Sequence, residues 1–160
     1  MNKVYELVEA CSYRRRSFIK TKSNLEIKIG FYHGAFIVSH KRFENILSYG
    51  ENMSDIRLNK TIHAEEKAIL NLPCLEKKKN LKKVDIIVVR TTKHGCLGLS
   101  KPCYHCLIIM NSLIKEKGYV IQHVYYTDEN REVEQTTINR LFDEEIHISK
   151  YYRNKKSRMN

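Results

Sequence analysis

Long apolar runs are missing from this sequence, and its first residues do not show the pattern expected of a secretory leader. No stretch approaches the ~20 apolar residues that a helix needs to cross a bilayer. The first residues, MNKVYELVEACSYRRR, lack an apolar core followed by a small-residue cleavage site. We therefore expect an intracellular protein without a membrane partner, in the cytoplasm, with the nucleus left open.

Cysteine is present in an odd number and at uneven spacing, which argues against a disulfide framework. The chain has five cysteines, at positions Cys11, Cys74, Cys96, Cys103 and Cys106. In a reducing compartment, clustered cysteines more often bind a metal or take part in chemistry than form disulfides.

Internal repeats and a second domain are also absent from the sequence pattern. The chain has 160 residues, which suits one domain that buries roughly 70% of its unfolded surface. Hydrophobic residues make up 42% and charged residues 29%, as in an ordinary globular protein. We expect a single domain over 1–160, with its core in about 3–150 and a basic tail over about 151–160.

Acidic residues are outnumbered by basic ones, which gives a formal net charge of +11. A positive field of this size favours polyanions such as nucleic acid. The same surplus can also arise from a biased base composition of the coding DNA, because the chain is rich in Lys, Asn and Ile. Charge alone leaves both interpretations open.

Apolar periodicity predicts alternating helices and strands. The predicted helices span about 3–16, 62–72 and 102–117, and the predicted strands span about 31–40, 45–49, 84–90 and 123–127. Pro73 and Gly118 mark helix ends, and residues 40–43 (HKRF) suit a hairpin turn.

The remaining segments are less regular. Residues 50–61 and 91–101 are predicted as loops. Ile138, Leu141 and Phe142 suit a helix, and residues 146–149 suit a short strand. This order predicts an α/β fold, a three-layer α/β/α sandwich with a mixed sheet of about five strands.

Two short motifs carry the residues with metal-binding chemistry. His63-Ala64-Glu65 opens one predicted helix, and Cys103 and Cys106 open another. Helix positions i and i+3 share a face, so both thiols can point at one ion. The helix N-terminus favours thiolate over thiol. With a nitrogen from His63, the donor set is one that zinc accepts in tetrahedral geometry.

Three protein donors leave one coordination position open, as in a catalytic zinc site. Water bound there becomes hydroxide near neutral pH. Glu65 lies two residues from His63, near the metal but not bound to it, as a general acid/base should. This arrangement suits hydrolytic deamination, in which hydroxide adds to the carbon that bears an exocyclic amine and ammonia leaves.

The spacing H-x-E followed by P-C-x-x-C resembles the signature of the zinc-dependent nucleobase deaminases. The segments HAEEKAIL and KPCYHC look like those of the cytidine/deoxycytidylate deaminase superfamily, and the resemblance covers about 34–127. It implies a cytidine-deaminase-like fold with one Zn²⁺ per chain.

A structural zinc site is the alternative to a catalytic one. Cys96, His94 or His105 would then supply the fourth ligand. A purely structural site would not need Glu65, which favours the catalytic interpretation.

Further residues are candidates for substrate contact, mostly through the resemblance. In relatives, the Asn of a G-x-N segment bonds the ribose, which points to Asn52, and small residues line the pocket, which points to Ala35 and Ala64. Tyr125 and Tyr126 end a predicted strand beside the pocket, where one could stack on a base or pack against a helix. The basic run, Arg14, Arg15 and Arg16, could contact phosphates or be a solvated helix end.

The function that these features predict first is conversion of cytosine to uracil, in a nucleoside or nucleotide or in single-stranded nucleic acid. A second alternative is adenosine-to-inosine deamination in tRNA. Lys101 and His105 count against it, because the related tRNA enzymes usually carry Glu and Met there. A third is a catalytically silent, zinc-containing module that binds nucleic acid. A homo-oligomer is compatible with all three.

Overall fold

A mixed β-sheet forms the centre of the protein. The computed structural model describes residues 4–6, 8, 32–55, 60–75, 80–92 and 94–144, without the side chains of 44, 54, 55 and 60. The strands are β1 (Tyr32–Ser39), β2 (Arg42–Glu51), β3 (Met53–Asp55), β4 (Lys60–Ile62), β5 (Lys82–Thr91), β6 (Leu97–Gly98), β7 (Tyr119–Thr127) and β8 (Val133–Thr136). The helices are α1 (Ala64–Asn71), α2 (Tyr104–Glu116) and α3 (Ile138–Asp143).

The strand order of the main sheet is β2-β1-β5-β7-β8, and β6 pairs with the end of β5. β1 is antiparallel to both β2 and β5, whereas β5 and β7 are parallel. A parallel pair needs a crossover connection, and α2 supplies it. β3 and β4 form a separate two-stranded sheet. The prediction of a mixed sheet of about five strands is confirmed.

Alternating side chains divide the sheet into two buried faces. On one face, Ala35 and Ile37 of β1 pack with residues of α1, α2 and α3. On the other face, Phe36 and Val38 pack with Val4 and Val8, which are helical. Helical residues therefore cover both faces, which confirms the three-layer α/β/α sandwich.

The hairpin between β1 and β2 turns through His40 and Lys41, since Ser39 pairs with Arg42. The sequence HKRF offers no glycine for this turn. Lys41 instead adopts a positive φ of 62°, a conformation that costs a side-chain-bearing residue roughly 1–2 kcal/mol. The predicted turn is confirmed.

Both central helices begin two residues later than predicted, because the metal-binding motifs supply the residues that precede them. His63 and Cys103 have extended backbones and are the N-cap residues of α1 and α2. α1 ends before Pro73 as predicted. α2 ends just before Gly118, which has a φ of 90°.

Several boundaries differ from the predictions. Residues 50–61, predicted as a loop, contain the end of β2, all of β3 and the start of β4, and β2 starts at Arg42. β7 starts at Tyr119 rather than at 123, and β8 was not predicted. The predicted helix around Ile138 is confirmed, whereas the strand over 146–149 and the basic tail lie outside the described residues. No helix among the described residues has the length and apolar character to span a bilayer.

Candidate metal centre

Two helix N-termini meet at one side of the sheet and bring three metal-binding side chains together. His63 precedes α1, Cys103 precedes α2, and Cys106 is the third residue of α2. The i, i+3 spacing places both thiols on one helix face. Cys103 and Cys106 are buried, and His63 is half-buried.

The distances between the donor atoms fit one tetrahedral zinc ion. The Nδ1 of His63 lies 3.2 Å from Cys106 Sγ and 3.5 Å from Cys103 Sγ, and the two sulfurs are 3.5 Å apart. Zinc bonds of about 2.3 Å to sulfur and 2.0–2.1 Å to nitrogen place tetrahedral donors about 3.5–3.8 Å apart. The three side chains therefore need to move by only a few tenths of an ångström to coordinate the ion.

A fourth protein donor does not join this group within the described ranges. The side chains of His94 and Cys96 are exposed in the loop after β5, and neither belongs to the cluster. His105 turns to Glu66, whose carboxylate lies 4.0 Å from its Nε2. The three residues considered as structural fourth ligands are thus not brought to the centre.

The two thiols and the imidazole affect one another's protonation, and negative charge is favoured on Cys103. A hydrogen bond from Cys106 lowers the pKa of Cys103, against the effect of burial, and His63 lowers it further. The same contact and burial raise the pKa of Cys106. The bond to Cys103 raises the pKa of His63. A thiolate is the form that binds zinc, so the site is prepared for a cation.

Glu65 lies on the first turn of α1 with only 4% of its surface exposed. Burial raises the pKa of its carboxyl group, with a smaller contribution from Cys103. The carboxyl group interacts with the Cys106 thiol, so it lies next to the donor set. A buried carboxyl with a raised pKa holds its proton to a higher pH than an exposed one, which suits it to proton transfer.

The segment that leads into the cysteines is fastened to the sheet by Ser100. Its hydroxyl donates to the carbonyl of Val88 on β5 (2.7 Å) and accepts from the backbone N–H of Thr127 on β7 (2.8 Å). Its own N–H donates to the carbonyl of Thr127. Lys101 forms an ion pair with Glu144 beyond α3. These bonds position the start of α2, and with it the two thiols.

Asn52 lies directly beside the start of α1. The side-chain Oδ1 of Asn52 accepts a hydrogen bond from the backbone N–H of Ala64 at 2.8 Å. The backbone N–H of Asn52 donates to the carbonyl of His33. Asn52 is exposed, whereas Ala35 and Ala64 are fully buried in the helix-covered core that also contains the two cysteines. The structure thus brings these three predicted residues to the side of the metal centre.

Two residues near the centre were missed by the sequence analysis. His33 and Arg90 face each other across β1 and β5. Burial lowers the pKa of His33 to about 4, and the charges of Arg90 and His63 lower it further. His33 lies two residues before Ala35, so strand alternation could have placed it on the same face.

The two tyrosines at the end of β7 lie on opposite faces of the sheet. Tyr126 is half-buried against the helix-covered core, on the side of the metal centre. Tyr125 is buried on the other face, where it packs with Phe43. The structure does not bring Tyr125 to the centre. Arg14, Arg15 and Arg16 lie outside the described residues.

The fold and the donor set define an α/β protein with a His-Cys-Cys zinc centre. The sequence matches the family model described as the cytidine and deoxycytidylate deaminase zinc-binding region over residues 12–122. This match covers more than half of the chain, and the chain belongs to that family. Its donor set accounts for one zinc ion, and zinc-dependent deamination is the general activity of such a domain.

Two further comparisons, with curated proteins and with solved structures, do not extend this family assignment. No curated protein matches the sequence. Among solved structures, a cytidine deaminase from Mycobacterium tuberculosis is similar, with 12% sequence identity and a TM-score of 0.41. The match covers 81% of this chain and 90% of that one.

Proposed function

We propose that this protein hydrolyses the amino group of a cytosine base to give uracil and ammonia. The substrate is a nucleoside or nucleotide, or a cytosine in single-stranded nucleic acid. The observation that carries the proposal is the buried carboxyl group of Glu65 beside three converging donor atoms, with no fourth donor among the described residues. A structural zinc site has no use for such a carboxyl group.

The geometry supports the ligand roles. His63, Cys103 and Cys106 hold the ion through one nitrogen and two sulfurs. When bound, zinc supplies a Lewis acid that makes a water molecule acidic near neutral pH. The N-terminus of α2 adds positive potential that favours the thiolate form in which cysteine binds zinc.

Glu65 is assigned the proton transfers. Its carboxylate takes a proton from the attacking water and delivers protons to the base and to the departing amine, so that water and the amine yield a carbonyl and ammonia. The raised pKa helps because it makes the carboxylate a stronger base toward the attacking water. Exclusion of water from this buried carboxyl also strengthens its interactions with the reacting atoms.

The neighbouring residues suit recognition of the substrate. The Oδ1 of Asn52 is engaged by the N–H of Ala64, which leaves the amide N–H groups of Asn52 to donate to a sugar hydroxyl or a base carbonyl. Ala35 and Ala64 have small side chains, which leave room for a base beside the metal centre. Tyr126 is assigned a contact with the base on the same side of the sheet.

The preference for cytosine over adenine rests on the segment around the cysteines. Lys101 and His105 occupy the positions where the resemblance implies Glu and Met in tRNA adenosine deaminases. In the structure Lys101 pairs with Glu144, and His105 lies near Glu66. Both side chains are thus already engaged away from the donor atoms.

The test is ammonia release from a panel of substrates by the zinc-loaded protein at low salt. The panel contains cytidine, deoxycytidine, their monophosphates, single-stranded DNA, RNA and tRNA. Wild type is compared with Glu65→Gln, which keeps the shape of the side chain but cannot carry the proton. We expect the wild type to release ammonia from a cytosine substrate. The variant should retain zinc and lose at least about 100-fold in rate.

The outcomes separate the alternatives. Activity on monomers would make the protein an enzyme of nucleotide metabolism, and activity only on polymers would give the +11 charge a role in binding. Inosine formation in tRNA would show that the substrate is adenosine and not cytosine. No activity in a protein with a full complement of zinc, or equal activity in Glu65→Gln, would overturn the proposal and favour a binding module.

A further inference from the structure

A second cluster of metal-binding side chains lies at the other end of the central strands. It consists of His40 in the β1–β2 turn, Asp85 near the start of β5 and His123 in the middle of β7. Asp85 precedes Arg90 by five residues, which corresponds to about 16 Å along a strand. Its side chain has the parity of Ile87 and Val89, so it belongs to the face opposite the cysteine-containing core. The cluster is therefore separate from the first centre.

The three side chains converge on the carboxylate of Asp85. The Nδ1 of His40 lies 3.0 and 3.1 Å from its two oxygens, and the Nδ1 of His123 lies 3.3 Å from Oδ1. The centroids of the His40 and His123 rings are 5.3 Å apart. Asp85 is only 1% exposed, and a carboxylate buried to this extent requires compensation by hydrogen bonds or a cation.

Backbone groups satisfy part of this requirement. The N–H of His123 donates to Oδ1 at 3.1 Å, and the N–H of Lys41 approaches Oδ2 at 3.4 Å. Such bonds fix the orientation of the carboxylate, as the outer shell of a metal site does. Lys41 lies in the tight β1–β2 turn, with a positive φ.

His123 has a ring nitrogen whose position beside Asp85 no hydrogen bond within the described ranges accounts for. Its Nδ1 is buried and makes no hydrogen bond with any described residue, although Asp85 Oδ1 is 3.3 Å away. The separation is short enough for a hydrogen bond, so the direction of the ring must be unsuitable. A nitrogen near a carboxylate but not bonded to it is the expected arrangement when both atoms are ligands of one cation.

We infer that His40, Asp85 and His123 form a second divalent-metal site, with zinc as the ion of best fit. Bonds of about 2.0–2.1 Å to nitrogen and oxygen place tetrahedral donors about 3.3 Å apart, close to the distances observed here. Two imidazoles and a carboxylate suit Zn²⁺ and related transition ions better than Mg²⁺ or Ca²⁺, which prefer oxygen ligands. The partly exposed imidazoles leave room for water as a further ligand.

The role of this site is structural. An ion held there connects the β1–β2 turn to β5 and β7. β1, β5 and β7 are neighbours in the sheet, and their other ends lie beside the first metal centre. It neutralises the buried carboxylate without any contact with Glu65.

The test is the number of zinc ions per chain after saturation and removal of free metal, measured by elemental analysis. Wild type should hold two, and His123→Gln should hold one. His94→Gln, which removes an exposed histidine outside both clusters, should still hold two. A count of one in wild type, or of two in His123→Gln, would overturn the inference.

A cobalt titration of the wild type keeps the test decisive if His123→Gln does not fold. Thiolate ligands give cobalt a charge-transfer band in the near ultraviolet, which a site of nitrogen and oxygen ligands lacks. The first equivalent should develop this band, and the second should add visible absorption without increasing it. Absence of a second spectral component would show that the cluster is held by protons and hydrogen bonds alone.

Discussion

Cys103 and Cys96 differ in their surroundings although they are only seven residues apart. Cys103 is buried at the N-cap of α2, 3.5 Å from both the His63 nitrogen and the other thiol of the centre. Cys96 is exposed in the preceding loop. The reactivity of a cysteine depends on its thiolate character, which the surroundings of Cys103 promote and those of Cys96 do not.

Replacing Cys103 by Ser should therefore weaken zinc binding, and the same change at Cys96 should not. A serine hydroxyl is a poor zinc ligand at neutral pH, because it stays protonated where the thiol ionises. We expect Cys103→Ser to lose more than about 100-fold in zinc affinity, exceeding the effect of changes outside the ligand set. Competition with a chromophoric chelator measures this. Equal affinity in Cys103→Ser and Cys96→Ser would contradict the ligand assignment.

His33 links the surroundings of the metal centre to the pH dependence of stability. Burial, with help from Arg90 and His63, lowers its pKa from 6.5 to about 4. The unfolded chain binds a proton at His33 below pH 6.5, whereas the folded protein does so only near pH 4. The stability that depends on neutral His33 is thus complete above pH 6.5 and is lost as the pH falls toward 4.

His33→Gln should remove this part of the pH dependence. The unfolding free energy of the wild type, taken relative to the variant, should fall by on the order of 1–3 kcal/mol between pH 6.5 and 4. Urea unfolding at several pH values measures it, with His94→Gln as a control for loss of an exposed histidine. Parallel pH profiles for wild type and His33→Gln would contradict the prediction.

At the scale of elements, the contact between β2 and α1 determines where His63 and Glu65 lie. Gly50 of β2 is buried directly against the helix backbone, and a Cβ there would lie 2.2 Å from Ala68 N and 2.4 Å from Ala64 O. Two residues earlier in β2, the hydroxyl of Ser48 donates to the carbonyl of Ala68. The absence of a side chain at Gly50 allows the helix to approach the strand this closely.

Gly50→Ala should consequently be strongly destabilising. The methyl group collides with backbone atoms that cannot rotate away, so the helix must shift, at a cost of about 2–3 kcal/mol or more. This corresponds to a decrease in Tm of about 5–10 °C for a chain of this size. Gly98→Ala is the control, because its nearest neighbours are side-chain atoms at 3.7 Å or more. A Tm unchanged in Gly50→Ala would show that α1 does not pack as described.

The elements that sequence analysis predicted are those with local signals. Pro73, Gly118 and the H-x-E and P-C-x-x-C motifs located both central helices, and the apolar run in β5 located the central strand. The short strands β3, β4 and β8 depend on pairing partners distant in sequence, and they have too few residues for a clear period. Local patterns carry little information about such pairings.

The choice between Tyr125 and Tyr126 shows a second limit of the sequence. The register between β5 and β7 shifts between Val84 and Ile86. A shift of one residue exchanges the two faces of a strand. Neighbouring tyrosines therefore cannot be assigned to the pocket or to the opposite core without the pairing itself. The same dependence on register explains why the cluster around Asp85 was not predicted.

At the scale of the whole molecule, the first metal centre links two helices that are distant in sequence and pack against each other. His63 precedes α1, and Cys103 and Cys106 begin α2, some 40 residues later. The cysteines belong to the main buried cluster together with residues of all three helices. An ion bound to the folded protein but not to the unfolded chain stabilises the whole fold by mass action.

Removal of zinc should accordingly lower the Tm of the entire domain. An ion present at about 1,000 times its dissociation constant contributes roughly 4 kcal/mol, equivalent to about 10 °C at 2–4 °C per kcal/mol. The measurement is calorimetry before and after treatment with a strong chelator, with zinc content determined in both samples. Glu65→Gln should show the same decrease, since it keeps all three ligands. Cys103→Ser should start from a lower Tm and respond less to the chelator, because it has lost a ligand. A wild type whose Tm is unchanged after confirmed loss of zinc would place the ion outside the folded core and contradict the position of the centre between α1 and α2.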